Sequence, residues 1–160
     1  MPMIKRILCP TDFSAHSAAA LTYAIRLAEG LEADVTLLHV CSVALHVMPV
    51  GEYTSMDDTT VLMKAAQHEL EVWVEKYSKQ TSRELEWLLD HGDAYKRINA
   101  VTESLHADLI VMGTHGRSGL SRLVMGSVVE RVVRTSSRPV LTIPRAAAEM
   151  IASADPSDRA

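Results

Sequence analysis

The sequence has few aromatic residues and few cysteines, and it contains no long apolar run. Aromatic residues make up 4% of the 160-residue chain, whereas hydrophobic residues make up 48%. A core must therefore consist mainly of aliphatic side chains, which is typical of parallel strands packed between helices. The length fits one domain, and the hydrophobic share is large enough to fold it without disulfides or metals.

The two cysteines, Cys9 and Cys41, are too few for a disulfide framework. No apolar run approaches the roughly 18 residues of a transmembrane helix, and residues 1–10 show no signal-peptide pattern. We therefore expect a cytoplasmic protein with reduced thiols and no membrane partner. A redox pair of Cys9 and Cys41 at neighbouring strand ends is an alternative to two buried, apolar cysteines, which are more common.

The charge pattern argues against nucleic acid as the main partner. The net charge is −4 and the chain has no long basic run, whereas phosphate backbones are bound by clustered Lys and Arg. A single nucleotide needs only a local group of donors. The seven histidines show no H-x3-H spacing and the cysteines no C-x2-C spacing, so we expect no metal site built by the protein alone.

Apolar runs alternate with helical patterns along the chain, as in βαβ units. Residues 42–56 are predicted to form a loop. Residues 145–160 lack a periodic apolar face and are predicted to form a frayed tail. Gly30 is predicted to end the first helix. The buried face of the second helix is predicted to contain Leu62, Ala66, Leu70 and Trp73. We predict strands over residues 3–9, 34–40, 84–89, 108–112 and 139–143, and helices over residues 15–29, 58–79, 94–106 and 127–136.

Right-handed crossovers leave few topologies for this order of elements. We predict one domain over residues 1–145, followed by a flexible tail over residues 146–160. Its fold class is α/β: a single doubly wound five-stranded parallel sheet in the order 3-2-1-4-5, with helices on both faces, as in Rossmann-like folds. Over residues 84–89, Leu85, Trp87 and Leu89 alternate with Glu84, Glu86 and Leu88, which suits an edge strand with one face less covered. The apolar run 108–112 suits a central strand. Ligands bind such sheets at the carboxyl ends of the strands, at the switch point between strands one and four.

The segment after the fourth strand carries Gly113, Gly116 and Gly126-Ser127 in the spacing G-x2-G-x9-G-S. Glycines let a backbone approach a phosphate closely, and the N–H groups that begin a helix favour an anion. Ser127 adds a hydroxyl group and Arg117 a positive charge. The pattern predicts a triphosphate site, although it is neither a Walker loop nor the G-x-G-x-x-G dinucleotide fingerprint.

Each of these residues also has a structural interpretation. Gly113 and Gly116 suit a turn after a buried strand, and Ser127 as N-cap with Glu130 fits a capping box. The Asp12 side chain could cap the turn that precedes the first helix by a hydrogen bond, or it could contact a ligand. His115 could act as a base beside a phosphate, but no orienting carboxylate or nucleophile stands at a recognisable spacing. We therefore assign no catalytic residue.

The chain resembles the universal stress protein family, in its ATP-binding branch, over roughly residues 3–144. The matching residues are Ile7–Asp12, Leu38–Val40, Asp108–Arg117, Gly126-Ser127 and Arg138–Leu141. The resemblance implies an adenine nucleotide alpha hydrolase-like fold. It implies ATP as the ligand, with Mg²⁺ or Mn²⁺ as an ion that arrives with the phosphates.

The resemblance also implies a role for each matching position. The backbone near Pro10-Thr11 and at Val40 would contact adenine, and Asp12 would face the ribose or a metal-bound phosphate. Met112 and Gly113 would line the base and ribose side. The residues implied near the phosphates are Gly116, Arg117, Gly126, Ser127 and Val128, and His115 belongs to the same cofactor-binding set.

Finally, the resemblance implies a homodimer paired through the last strand, Val140–Ile143, and leaves higher oligomers open. The protein would act in a stress response as a nucleotide-dependent regulator, whose state an unidentified protein partner reads. A slow ATPase or phosphotransferase is one alternative, but without a Walker lysine or an arranged base we expect at most weak hydrolysis. A nucleotide-free interaction module of the same fold is the other alternative.

Overall fold

Five strands and five helices alternate along the described part of a computed structural model, which comprises residues 3–42, 56–114 and 126–153. The strands are β1 (Arg6–Pro10), β2 (Asp34–Cys41), β3 (Leu85–His91), β4 (Leu109–Gly113) and β5 (Val140–Ile143). The helices are α1 (Ala15–Leu31), α2 (Met56–Ser78), α3 (Ala94–Ser104), α4 (Ser127–Thr135) and α5 (Arg145–Ser153).

The strands form one parallel sheet in the order β3-β2-β1-β4-β5, so the predicted α/β fold and topology are confirmed. The prediction of an edge strand is confirmed for β3. β4 was predicted to be central, but the middle strand is β1, and β4 lies beside it. β4 is the most apolar strand because every one of its residues is buried, as expected of a strand covered on both faces.

Helices cover both faces of the sheet and enclose a core on each side. Adjacent residues of a strand point to opposite faces. Ile7 of β1 belongs to the cluster that contains α1, α2 and α5, and Leu8 to the cluster that contains α3 and α4. In the described ranges, no helix is both long and apolar enough to cross a bilayer.

The predicted end of the first helix at Gly30 is wrong, because Gly30 lies within α1. The cap is Glu32, at φ 53°, whose N–H group bonds to the carbonyl oxygen of Ala28. Arg83 donates to the carbonyl oxygens of Glu32 and Ala33, each at 3.2 Å. A cation at a helix C-terminus stabilises the carbonyl end of the dipole, which allows a non-glycine residue to hold this conformation.

The predicted frayed tail is wrong for residues 145–153, which form α5. Ala148 is buried, and Ala147 and Ile151 pack against the α1 side of the core. The N–H group of Ala148 bonds to the carbonyl oxygen of Pro144 at 2.9 Å. Alanine favours helices and allows close packing, so this segment docks without a strong apolar periodicity. Residues 154–160 and most of the predicted loop, residues 43–55, lie outside the described ranges.

Asp108 ties the amino ends of β1 and β4 together. Its Oδ2 atom accepts the N–H groups of Lys5 at 2.8 Å and Arg6 at 3.0 Å. The bond from Lys5 is the main reason that the pKa of Asp108 is lower than usual. A lowered folded-state pKa means that this stabilisation is present above the unfolded pKa, about 3.9, and is lost as the pH falls through the folded value.

We therefore expect Asp108→Asn to lower the free energy of unfolding by about 1–2 kcal/mol at pH 7, because a neutral amide oxygen accepts these bonds more weakly. The loss should shrink at acidic pH, as the pH falls through the lowered folded-state pKa and the wild-type carboxyl group becomes protonated as well. Urea titrations at pH 7 and at acidic pH measure it. Asp93→Asn is the matched control, since the Asp93 side chain makes no cap hydrogen bond and its ion pair with Lys96, at 3.6 Å, is exposed and contributes little to stability. An equal loss at both pH values would contradict this explanation.

Candidate functional site

A cavity of about 850 Å³ lies at the carboxyl edge of the sheet, where β1, β2 and β4 end. It includes the switch point between β1 and β4, and cavities of roughly 300–1,000 Å³ hold ligands of cofactor size. All predicted cofactor-binding residues within the described ranges line it. They are Pro10, Thr11, Asp12, Val40, Met112, Gly113, Gly126, Ser127 and Val128. The other three, His115, Gly116 and Arg117, lie outside the described residues.

The turn between β1 and α1 is held by several hydrogen bonds. Thr11 donates its N–H group to the carbonyl oxygen of Leu38 at 2.8 Å, and its Oγ1 atom accepts the N–H group of Phe13 at 3.0 Å. Asp12 Oδ1 accepts the N–H group of Ser14 at 3.0 Å. The capping interpretation of Asp12 is thus confirmed, and the same residue lines the cavity. The turn therefore presents Thr11 and Asp12 at fixed positions.

Aromatic rings form one wall of the cavity beside this turn. The Nδ1 atom of half-buried His39 lies 2.8 Å from the carbonyl oxygen of Thr11. A carbonyl oxygen only accepts, so Nδ1 carries the proton. The ring of Phe13 lies 4.5 Å from that of His39 and 5.5 Å from that of Trp73. These contacts hold Phe13 at φ 62°, a conformation that costs a non-glycine residue about 1–3 kcal/mol.

The start of α4 also lines the cavity. The predicted capping box is wrong, because the N-cap is Gly126 and Ser127 is the first helical residue. Gly126 donates its N–H group to the carbonyl oxygen of Thr114 at 2.8 Å. Ser127 and Val128 belong to the first turn of the helix, whose N–H groups have no acceptor within the helix and mark the positive end of its dipole. This end of the cavity therefore suits an anionic group.

Gly113 has a packing role that its position in the sequence does not show. It is the last residue of β4 and is buried, so it is not a turn residue. A Cβ atom there would lie 3.0 Å from the carbonyl oxygen of His16 and 3.2 Å from its carbon. The missing side chain lets the first turn of α1 approach β4. Thr114, which follows, donates its N–H group to the carbonyl oxygen of Ile143 at 3.1 Å.

One face of α2 also lines the cavity, although the sequence did not indicate it. Leu62 was predicted to be buried, but it is 63% exposed at the cavity. The helical period predicts which residues share a face of the helix. It does not predict whether that face packs against the core or lines a cavity. The lining residues of α2 follow the spacing i, i+3, i+4, i+7, and they are Leu62, Ala65, Ala66 and Glu69. Ala94 and Ile98 of α3 also line the cavity.

The charges of the lining restrict how an anionic ligand can lie. Asp12 and Glu69 contribute carboxyl groups, and no Lys or Arg is among the lining residues that the structure describes. In that part of the chain no group of three metal-ligating side chains occurs either. The start of α4 is the favourable end for a phosphate, and the neighbourhoods of Asp12 and Glu69 suit hydrogen-bond donors.

The two thiols differ in environment, and both are free. Cys9 is buried, and burial raises the pKa of its thiol to about 12. Cys41 is only partly buried and lines the cavity, and burial raises its pKa as well. Because the thiolate is the reactive form, Cys9 is inert and Cys41 reacts slowly, faster as the pH rises.

We therefore expect a disulfide reagent at pH 8 to modify one thiol per folded chain and two per unfolded chain, as measured by absorbance. Cys41→Ser should remove the reaction of the folded protein, and Cys9→Ser should leave it unchanged. Two equally reactive thiols in the folded wild type would contradict the burial of Cys9.

Comparisons with known proteins agree with the fold. The model of the universal stress protein family matches residues 3–144. Universal stress protein MJ0531 of Methanocaldococcus jannaschii is 33% identical over 141 residues, covering 88% of this chain and 82% of the relative. The solved structure of MJ0577, from the same organism, has a TM-score of 0.76 at 28% identity and covers 90% of this chain and 98% of its own.

Two more distant structures share the fold. A universal stress protein in complex with cAMP has a TM-score of 0.65 at 20% identity and covers 89% of this chain and 98% of its own. The universal stress protein of Archaeoglobus fulgidus in complex with dAMP has a TM-score of 0.60 at 21% identity, with coverages of 88% and 98%.

Proposed function

The chain belongs to the universal stress protein family, and we propose that it is a regulatory protein that binds ATP in the cavity at the carboxyl edge of its sheet. One observation carries the proposal: the ends of β1, β2 and β4 and the start of α4 line one cavity of about 850 Å³. Nucleotide complexes of two proteins with this fold support a nucleotide as the ligand class.

In this proposal the phosphates lie at the start of α4. Gly126 has no side chain to obstruct them, and Ser127 and Val128 offer N–H groups and a hydroxyl group. Gly116 and Arg117, with His115, would complete the phosphate side. Mg²⁺ or Mn²⁺ would be held mainly by the phosphate oxygens, because each prefers oxygen ligands.

The remaining lining residues suit the nucleoside. Asp12, held by its bond to the N–H group of Ser14, would accept a ribose hydroxyl group. The backbone at Pro10-Thr11 and at Val40 would contact adenine, and Met112 and Gly113 would line the base and ribose side. The negative lining at Asp12 and Glu69 would repel the triphosphate and so favour one orientation of the ligand.

We further propose a homodimer that pairs through β5. This strand forms one edge of the sheet, and an edge strand offers backbone groups to a second copy. A two-fold axis would make the contact self-complementary. We also propose a cytoplasmic location, where both thiols stay reduced, and a protein partner that distinguishes the ATP-bound from the ATP-free state.

The unfolding temperature tests the ligand class. A ligand that binds only the folded state at 100 times its dissociation constant stabilises it by about 2.7 kcal/mol. For a domain of this size we expect ATP to raise the unfolding temperature by about 5–10 °C. Tripolyphosphate alone and adenosine alone should raise it less. An unchanged temperature with millimolar ATP would contradict the proposal and favour the nucleotide-free interaction module.

A further inference from the structure

Glu69 places a carboxyl group in the wall of the cavity, on a different helix from the one that begins at the proposed phosphate site. It lies on α2, which packs against β2 and β3, whereas α4 follows β4 on the other side of the switch point. The two helices also cover opposite faces of the sheet, since Leu70 of α2 and Val129 of α4 belong to different core clusters. A ligand that fills the cavity with its phosphates at α4 therefore extends its other end toward Glu69.

The position of this carboxyl group is fixed by neighbouring side chains. Trp73 donates its Nε1–H group to Glu69 Oε1 at 3.0 Å. The ring of Trp73 in turn packs edge-on against Phe13 at 5.5 Å, and it packs tilted against Tyr77 at 5.6 Å. Phe13 lines the same cavity, so the aromatic wall and the carboxyl group form one unit. An oriented carboxylate at a cavity wall selects for a hydrogen-bond donor, because it can only accept.

We propose that Glu69 accepts a hydrogen bond from the exocyclic amino group of the base and thereby selects adenine over hypoxanthine. The inference rests on the proposed function, which puts the phosphates at α4. Adenine presents an amino group at its position 6, where hypoxanthine presents a carbonyl oxygen. The carbonyl oxygen would face the carboxylate without a proton between them, and a site built around a hydrogen bond rejects a ligand that cannot form it.

The ratio of the dissociation constants for ITP and ATP, measured by calorimetry, tests the inference. We expect the wild type to bind ATP about 10- to 100-fold more tightly than ITP, the range for a hydrogen bond to a charged group. Glu69→Gln should bring the two affinities to within about 3-fold, mainly by improving ITP, since the glutamine amide can donate to the carbonyl oxygen.

Glu71→Gln is the matched control. It removes the same charge from α2, but Glu71 is exposed, accepts from Gln67 and is not among the lining residues. Its ratio should equal that of the wild type. The unfolding temperature of each variant without ligand confirms that it folds.

Each other outcome has a distinct meaning. Equal weakening of ATP and ITP by Glu69→Gln would show that Glu69 only supports Trp73 within the helix, and would overturn the inference. So would a defect that disappears with 2′-deoxy- or 3′-deoxy-ATP, because Glu69 would then contact the ribose. An unchanged ratio in Glu69→Gln with tight ATP binding overturns the inference and leaves the proposed function standing. A folded wild type that binds neither nucleotide overturns both.

Discussion

Replacing Gly126 by valine should abolish ATP binding and leave the domain folded. Gly126 lines the cavity at the start of α4, where the proposal puts the phosphates. Its backbone, at φ −57° and ψ 143°, is open to any residue, so a valine adopts it without strain. The side chain would occupy the space that a phosphate needs. We expect affinity for ATP to fall at least about 100-fold, which corresponds to about 2.7 kcal/mol.

Calorimetry measures the affinity of this variant for ATP, and urea titration measures its free energy of unfolding. Loss of a glycine N-cap should cost about 1 kcal/mol of stability or less. Gly30→Val is the matched control, because a Cβ atom at Gly30 meets nothing within 4 Å and the residue lies in α1, outside the cavity lining. ATP affinity that survives in Gly126→Val would refute the phosphate site at α4.

If the protein forms the proposed dimer, Thr142→Pro should convert it to a monomer without unfolding the domain. The carbonyl oxygens of Pro139 and Ile143 bond to β4, through the N–H groups of Ile110 and Thr114. Because backbone groups alternate in direction along a strand, the N–H group of Thr142 points away from β4, toward the proposed partner strand. Proline is tolerated in an edge strand at such a position, and it removes a donor from the dimer contact.

Light scattering at micromolar concentration measures the mass, and the expected change is a halving. Leu141→Pro is the contrasting variant, because the N–H group of Leu141 points toward β4. Its loss removes a ladder hydrogen bond and leaves an acceptor on β4 without this partner, which should destabilise the fold itself by about 1–3 kcal/mol. A dimer that persists in Thr142→Pro, or a wild type of monomer mass, would contradict the β5 contact.

The sheet could be predicted from the sequence because its inner strands β1 and β4 are buried on both faces and read as short apolar runs. The alternation of apolar runs with helical patterns indicated parallel strands, and crossover handedness left the observed order. The residues at the carboxyl ends of these strands then had to lie together, which is why Thr11, Val40 and Gly113 line one cavity. Topology determined this part of the candidate site.

The features that the sequence did not indicate depend on contacts between distant segments. Glu32 caps α1 only because Arg83, far along the chain, binds the end of the helix. α5 is helical in this context because Ala148 docks in the core beside α1. Glu69 reaches the cavity because α2 is placed by its packing on β2 and β3. In each case the local pattern fits several structures, and tertiary contacts select one of them.

A calorimetric titration of nucleotide-free wild-type protein with ATP and Mg²⁺ tests the central claim most directly. The proposed site predicts saturable binding of one ATP per chain, and nucleotide released by denaturing the complex should be identified as ATP by chromatography and mass. Titration to millimolar ATP with no heat of binding, together with an unchanged unfolding temperature, would contradict it.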